Sequence, residues 1–425
     1  MTAQMPCRNW VGESPSVFDG FDSFEGASSF GICRAVERLR EGLFDPCAVR
    51  WLTASEERLR EAVEAGLRAA EAGEAPHLCI LGAYGRGKSH SLVYIQDLAS
   101  SQGFVTSCVN LDPREISLSN PRRVFRELMA RLQFPDGSSS FACLWKAWAR
   151  KQMRQPESSV KSIVDLIPDR MPHRFKSVLA ALASRNVPVT REENLLKKPA
   201  AFRPGEFSLL LERALNGEAI PSPQLAKVLK YRQVPFYREG PLCPVDNESV
   251  ISVIEALSGL FRRMGYRGWV LLFDEGESAV QGSVSVRSRS YRFLHRFFAR
   301  SSSRQSFLYP VFAFTEDFLQ QVQEEDYHRP VRRRGREVRL FDCDYAREWQ
   351  GLNLFRLHDL TRSQWQELSR KLLCLHGRAY DWEPPQSSLI GEMTERLDAM
   401  GTQETRLKLK ALVECLDLAH QEQVL

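Results

Sequence analysis

The chain has 425 residues, 43% hydrophobic and 26% charged, which excludes a largely disordered polymer and leaves ample core for roughly two to three cooperating units. A net charge of +5 is modest, so any nucleic-acid or acidic partner has to be argued from local clusters. Ten cysteines stand singly without CxxC or zinc-type Cys–His spacing, and no apolar run approaches the ~20 residues of a membrane span; free thiols, no membrane association and a reducing cytoplasm are expected.

Residues 1–30 carry Gly, Ser, Pro and aromatic residues without a period and are expected as a loosely held arm, with docking on a partner as its alternative role. From Ile32 to Leu43 apolar positions recur at helical spacing, and Ser55 to Ala72 repeats the pattern behind a Thr53/Ser55 cap. These helices fall in the first part of the core, 31–135. Covering a nucleotide base and simple packing are equally good readings of them.

The apolar run Leu78 to Leu81 then leads into glycines at 82, 85 and 87, and Lys88 and Ser89 open a segment of helical period. Strand, glycine loop and helix in this order form a phosphate cradle. Glycines let backbone N–H groups converge on a phosphate, and the helix start adds its positive dipole end. Lys88 would reach the β- and γ-phosphates while the Ser89 hydroxyl holds Mg²⁺. The cofactor-binding candidates are Gly82, Ala83, Tyr84, Gly85, Arg86, Gly87, Lys88, Ser89 and His90. A chance match in a glycine-rich turn is the alternative, and the flanking strand and helix weigh against it.

Phe104 to Leu111 reads as a buried parallel strand, followed by a helix that starts at Pro121 behind a Ser119 or Asn120 cap. Residues 136–245 are rich in proline and too long for a loop, so a helical insertion is expected, with helices at Phe141 to Met153 and Phe207 to Leu215. Lys227 to Arg238 mixes cations with Tyr231, Phe236 and Tyr237. That mixture can bind single-stranded nucleic acid, but a surface helix with snorkelling cations is the preferred reading.

The second part of the core, 246–358, opens with a helix from Asn247 to Met264. A strand from Trp269 follows and ends in Asp274 and Glu275. Acids at a strand's carboxyl end stand where open α/β sheets bind ligands. Asp274 would anchor Mg²⁺ through water, and Glu275 would polarise the attacking water. Tyr291 to Arg304 is expected as a helix with Arg292, Arg296, Arg300 and Arg304 at every fourth position and Arg289 just upstream. Like charges at this spacing repel, and a DNA backbone, an acidic edge of a neighbouring subunit or solvent alone could answer them. Ser306 to Phe314 is a strand in which Pro310 suggests that pairing begins after it, and Thr315 at its end is a candidate phosphate sensor. His328 to Arg339 packs six arginines and one acid into an apparent loop, a second candidate DNA contact. Leu352 to Leu357 reads as a last strand. Three helices then make a C-terminal lid, 359–425, and Arg406 at the start of the last helix is placed to reach a nucleotide. A surface arginine there would oppose the helix dipole.

This order of elements resembles the AAA+ ATPases of the initiator and origin-recognition type. More closely, GAYGRGKSHSL, GFVTSCVNLDPREISLSNPRRVFRELM, LLFDEGES and TRLKLKALVECLDL resemble the ATP-binding proteins of BREX phage-exclusion systems, the BrxD-like group, over about residues 75–132 and 245–425. The resemblance implies an α/β, P-loop NTPase fold of AAA+-like type, a parallel sheet with a long helical insertion and a C-terminal helical lid. It implies a Mg²⁺-dependent ATPase in which Lys88 and Ser89 carry phosphate and Mg²⁺, Asp274 and Glu275 are the Walker B acids, Thr315 is the first sensor and Arg406 the second. AAA+ rings also need an arginine supplied in trans; Arg347 is nearest, although AREWQG departs from the usual pattern. The expected function is an ATP-binding and -hydrolysing protein of a bacterial antiphage system, forming a homo-oligomer, assembling on DNA and meeting other defence-system proteins. The alternative is an ATP-dependent switch or scaffold that binds protein partners with little turnover.

Overall fold

A computed structural model describes residues 28–54, 57–138, 140–155, 162–184, 206–232, 234, 247–299, 305–328, 330–333, 336–401 and 404–424. The chain divides into two compact units, one formed by Met1–Ser55 with Asp359–Leu425 and the other by Glu56–His358.

The larger unit contains strands β1 (Leu78–Leu81), β2 (Val105–Asn110), β3 (Leu132–Gln133), β4 (Trp269–Asp274), β5 (Leu308–Phe314), β6 (Pro330–Arg333), β7 (Arg336–Arg339) and β8 (Leu354–Arg356). Six of them form one sheet in the order β3-β2-β4-β5-β1-β8, parallel throughout except for β2 with β3. The central strands are nearly unbroken apolar runs because both of their faces are covered; every residue of β1 and β5 is buried. The helix Glu57–Ala72 passes so close to β5 that a Cβ on Gly66 would stand 2.3 Å from the Tyr309 ring. Only glycine fits there.

Register fixes one working edge. Asn110 lies opposite Asp274, and Leu81 lies opposite both Phe314 and Arg356. The carboxyl ends of β2, β4, β5 and β1 therefore line up, with β5 between the loop-bearing strand and the acid-bearing strand. Thr315 emerges between the two.

Pro310 does not delay pairing on both sides of β5. It already lies opposite Leu271 of β4, whereas pairing with β1 begins at Val311. The Gly82 N–H donates to the Phe314 carbonyl and the Trp269 N–H to the Phe307 carbonyl, so even positions of β5 face β1 and odd positions face β4. The N–H that proline lacks thus belongs to the β1 side, just before β1 starts.

The insertion is not walled off from the sheet. Trp145, Phe175, Leu211 and Leu229 belong to the same buried core as Val109 of β2 and Phe273 of β4. Its described helices are Phe141–Met153, His173–Ala183, Glu206–Leu215 and Ser222–Tyr231, and Trp145 donates its indole N–H to the Leu179 carbonyl at 2.8 Å. Tyr231 is buried 5.2 Å from the Phe207 ring, so this aromatic of the basic stretch serves packing; Phe236 and Tyr237 lie outside the described residues.

Other expectations change. The first 27 residues of the expected arm lie outside the described residues, and a helix Ser29–Arg40, capped by Ser28, starts before the arm's expected end. That helix belongs to the smaller unit, not to the larger one, because its apolar face (Ile32, Ala35, Val36, Leu39) joins Leu372, Leu412 and Leu416 in a separate core. The arginine-bearing helix runs Val284–Phe298 and ends in extended backbone at Ala299; Arg300 and Arg304 lie outside the described residues. The stretch expected as an arginine loop forms the antiparallel ribbon β6–β7, with Arg332 opposite Glu337 and Val331 opposite Val338. Each strand has one valine, and the two are paired. Among the described residues no helix is long and apolar enough to cross a membrane.

The smaller unit also holds Pro46–Leu52, Arg362–Tyr380, Gln386–Ala399 and Thr405–Val424. A polar network runs through it. Arg40 donates to both oxygens of Asp417 at 2.8 and 2.7 Å and to the Tyr380 hydroxyl at 2.8 Å, and that hydroxyl donates to Glu37. Asp417 also meets Nε2 of the fully buried His376 at 3.0 Å.

Candidate functional site

The loop between β1 and the helix Lys88–Ser101 is built by glycine geometry. Gly85 and Gly87 have φ of +77° and +91°, the left-handed region that favours glycine. Gly82 is hemmed in, since a Cβ there would stand 3.2 Å from Leu357. The helix opens at Lys88 without a side-chain cap from Gly87, which leaves its first N–H groups facing the loop. Lys88 is only 8% exposed, and its ammonium donates to the Gly82 and Ala83 carbonyls at 3.0 and 3.3 Å.

Sheet order brings distant residues onto this loop. The Ser89 hydroxyl donates to Oδ2 of Asp274 at 2.5 Å across 185 positions of sequence. Glu275 follows in left-handed backbone at φ 55°, its N–H donating to Oδ1 of Asp274 at 2.9 Å. Burial, then the charge of Asp274, pushes the Glu275 carboxyl above its ordinary value; a hydrogen bond from the Asn110 side chain and the charge of Lys88 pull the other way. Asp274 and Ser89 offer hard oxygen ligands, the chemistry that Mg²⁺ takes. With a lysine curled onto the loop's own carbonyls at the start of a helix, these residues fit a Mg²⁺-nucleotide.

The remaining candidates distribute as follows. Thr315 is half-buried at the end of β5, and Arg86 of the loop forms an ion pair with the next residue, Glu316, at 3.5 Å. Tyr84 is 71% exposed at the loop tip. Burial pushes the His90 imidazole down to about 4, so it is neutral at pH 7 and adds no positive charge for phosphate. Arg347 lies in the short helix Tyr345–Glu348, its side chain 83% exposed, 3.4 Å from Asp344. Arg406 belongs to the smaller unit, exposed in the first turn of Thr405–Val424. Sequence reasoning missed Asn110, whose side chain hydrogen-bonds Glu275. It could have been noticed as a polar residue closing an apolar strand.

The candidate DNA contacts are partly engaged within the chain. Arg292 makes a two-pronged bond to Asp342 at 2.5 and 2.7 Å, and Arg296 donates to the Glu248 carbonyl at 3.2 Å. Arg289 is exposed. The charge spacing of this helix is thus answered at Arg292 by an acid of its own chain.

A family model described as BREX system ATP-binding protein BrxC/D matches residues 34–183 and 242–425. The chain belongs to this family. It is accordingly an ATP-binding protein of the BREX antiphage system, and the phosphate loop and the acid pair both fall within the matched residues. Residues 1–33 and 184–241 are unmatched, and the latter take in the second half of the insertion. Among solved structures, the Walker-type ATPase of Pyrococcus abyssi is similar over 86% of this chain and 75% of its own, at 10% identity and a TM-score of 0.34. No curated protein matches the chain.

Proposed function

We propose that this BREX ATP-binding protein hydrolyses ATP with Mg²⁺. The observation that carries the reading is the 2.5 Å bond between Ser89 of the phosphate loop and Asp274 of β4, which joins the two halves of a nucleotide site. Lys88 exchanges the Gly82 and Ala83 carbonyls for β- and γ-phosphate oxygens. Ser89 and Asp274 hold the cation, and Glu275, its pKa raised, takes the proton of the attacking water. Bound Mg²⁺ supplies neutralisation of the phosphate charge. The resemblance adds Thr315 and Arg406 as sensors and Arg347 as the arginine offered to a neighbouring copy.

Lys88→Ala is expected to lose ATP binding, and Glu275→Gln to bind ATP yet lose hydrolysis by about 10²–10⁴-fold. Calorimetric binding and phosphate release measure the two. Wild-type protein that binds ATP, changes oligomeric size and shows no sustained turnover would instead make it a nucleotide switch.

The reading extends to a cytoplasmic homo-oligomer that assembles on DNA beside other defence-system proteins, supported by the exposed Arg289 and by the arginine-rich sequence of the β6–β7 ribbon. Neutralising Arg332, Arg333 and Arg334 together should weaken DNA binding and reduce the slope of log affinity against log salt by about 2–3. An unchanged slope removes the ribbon from the DNA contact.

A further inference from the structure

The phosphate loop is tied to the end of β5 at two points that straddle Thr315. Ahead of Thr315, the Gly82 N–H donates to the Phe314 carbonyl at 3.2 Å. Behind it, the Arg86 guanidinium forms an ion pair with Glu316 at 3.5 Å. The first tie continues the pairing of β1 with β5. The second is made by side chains alone.

Both ends of the second tie stand on held backbone. Arg86 lies between Gly85 and Gly87, each in the left-handed region, and its own N–H donates to the Ala83 carbonyl at 3.4 Å. Glu316 opens the short helix Asp317–Gln323, whose fully buried Phe318 stacks its ring 4.0 Å from that of Phe314. The Glu316 side chain makes no capping bond to that helix; its carboxylate is turned to the loop. The two side chains are 25% and 46% exposed, and an ion pair in that much water adds little to stability. What it fixes is the spacing between the loop and the end of β5.

A nucleotide makes that spacing matter. The loop cradles phosphates, while the Thr315 hydroxyl stands on the neighbouring strand, and a hydrogen bond between groups on separate elements weakens steeply once distance or angle is off. We propose that Arg86 and Glu316 are a positioning pair, setting the phosphate loop against Thr315 so that a γ-phosphate held by the loop meets the Thr315 hydroxyl. The grip on the β-phosphate belongs to the loop by itself, and the preference for a γ-phosphate depends on the pair. Glu316 acts through Arg86, and Arg86 through the place it gives the loop. This rests on the reading of the loop as a nucleotide site and of Thr315 as its sensor.

The test compares ADP with a non-hydrolysable ATP analogue, so it needs no turnover. Dissociation constants with Mg²⁺ are measured calorimetrically on the full chain for wild type, Glu316→Gln, Arg86→Gln, the double variant and Thr315→Val, alongside thermal unfolding without nucleotide. Wild type is expected to hold the ATP analogue more tightly than ADP. Glu316→Gln should reduce that preference about tenfold, with ADP affinity and thermal midpoint unchanged. The double variant should be no worse than Arg86→Gln alone, since removing either partner already breaks the tie. A Glu316→Gln variant that keeps the wild-type preference, beside a Thr315→Val variant that has lost it, overturns the proposal and leaves the nucleotide reading standing. Effects of the two single variants that add in the double overturn it as well, because the side chains then act separately. Wild type that binds neither nucleotide, or both equally, overturns the reading of the site together with the pair. Should Glu316→Gln fail to fold, Glu316→Ala is judged by the same preference.

Discussion

Glu275 combines a left-handed backbone with a carboxyl pushed above its ordinary range, first by burial and then by Asp274. A raised pKa makes a carboxylate a better acceptor for a water proton, but the group must be ionised to act. Hydrolysis at saturating ATP should therefore fall as pH drops through a value higher than that of an ordinary glutamate. Asp112 is one of the charges that raise it. Asp112→Asn keeps the oxygen that accepts from the Arg114 N–H and removes the charge, so the acid limb of the kcat–pH profile should move down; a limb that stays in place would assign it to another group. At this scale Lys88, Ser89, Asp274 and Glu275 were legible because the chemistry dictates their spacing within a few residues. Asn110 was not, since its bond to Glu275 exists only through the pairing of β2 with β4.

The turn after β4 is held by its neighbour strand. With 2.6 Å to the Phe314 ring and 2.9 Å to a backbone oxygen, the methyl of Gly276→Ala has no place unless the turn or the end of β5 moves. We expect the variant to lose about 1–3 kcal/mol of stability, to lose hydrolysis at least tenfold, and to keep ATP binding through the Lys88 loop. Denaturant unfolding, phosphate release and binding check the three parts, and full hydrolysis would mean that the turn tolerates displacement. The strands β1, β2, β4, β5 and β8 were legible as apolar runs. The β6–β7 ribbon was hidden behind its arginines, whose density suggested an exposed loop, while each strand offers only one valine as a strand signal.

Taken whole, the molecule carries imidazoles of lowered pKa in both compact units, and their titration has one sign. Burial lowers the pKa of His376 below 6.5 despite the hydrogen bond with Asp417. Trp382 donates its indole N–H to Nδ1 at 2.9 Å, so the ring's hydrogen sits on Nε2 and points to Asp417. Below about pH 6.5 the unfolded chain takes up a proton that folded His376 refuses, and stability falls as pH falls. His90 in the larger unit, pushed down to about 4, acts in the same direction. For Asp417 burial works upward, but the bonds from Arg40 and His376 outweigh it and leave its pKa lowered. Its stabilisation is present above 3.8 and is lost as pH falls through the lowered value. Scanning calorimetry from pH 7.5 to 4 should show midpoints that decline from about pH 6.5; a midpoint constant between 6.5 and 5 would contradict the lowered pKa of both histidines.

By itself the sequence determined that this protein has a glycine loop between a strand and a helix, a strand ending in two acids, an α/β character and a helical C-terminus. These are local properties, written in glycine spacing, apolar runs and helical period. Only the tertiary structure decided that β5 lies between β1 and β4, that Ser89 meets Asp274, that the first described helix joins the C-terminal unit, and that Arg292 finds Asp342. Such contacts are set by which apolar faces and strand edges find one another across long stretches of chain, and that energy leaves no period in the residues that share it. Ser89 and Asp274 each have a local signature, but their 2.5 Å meeting exists only because the parallel sheet is assembled in one particular order.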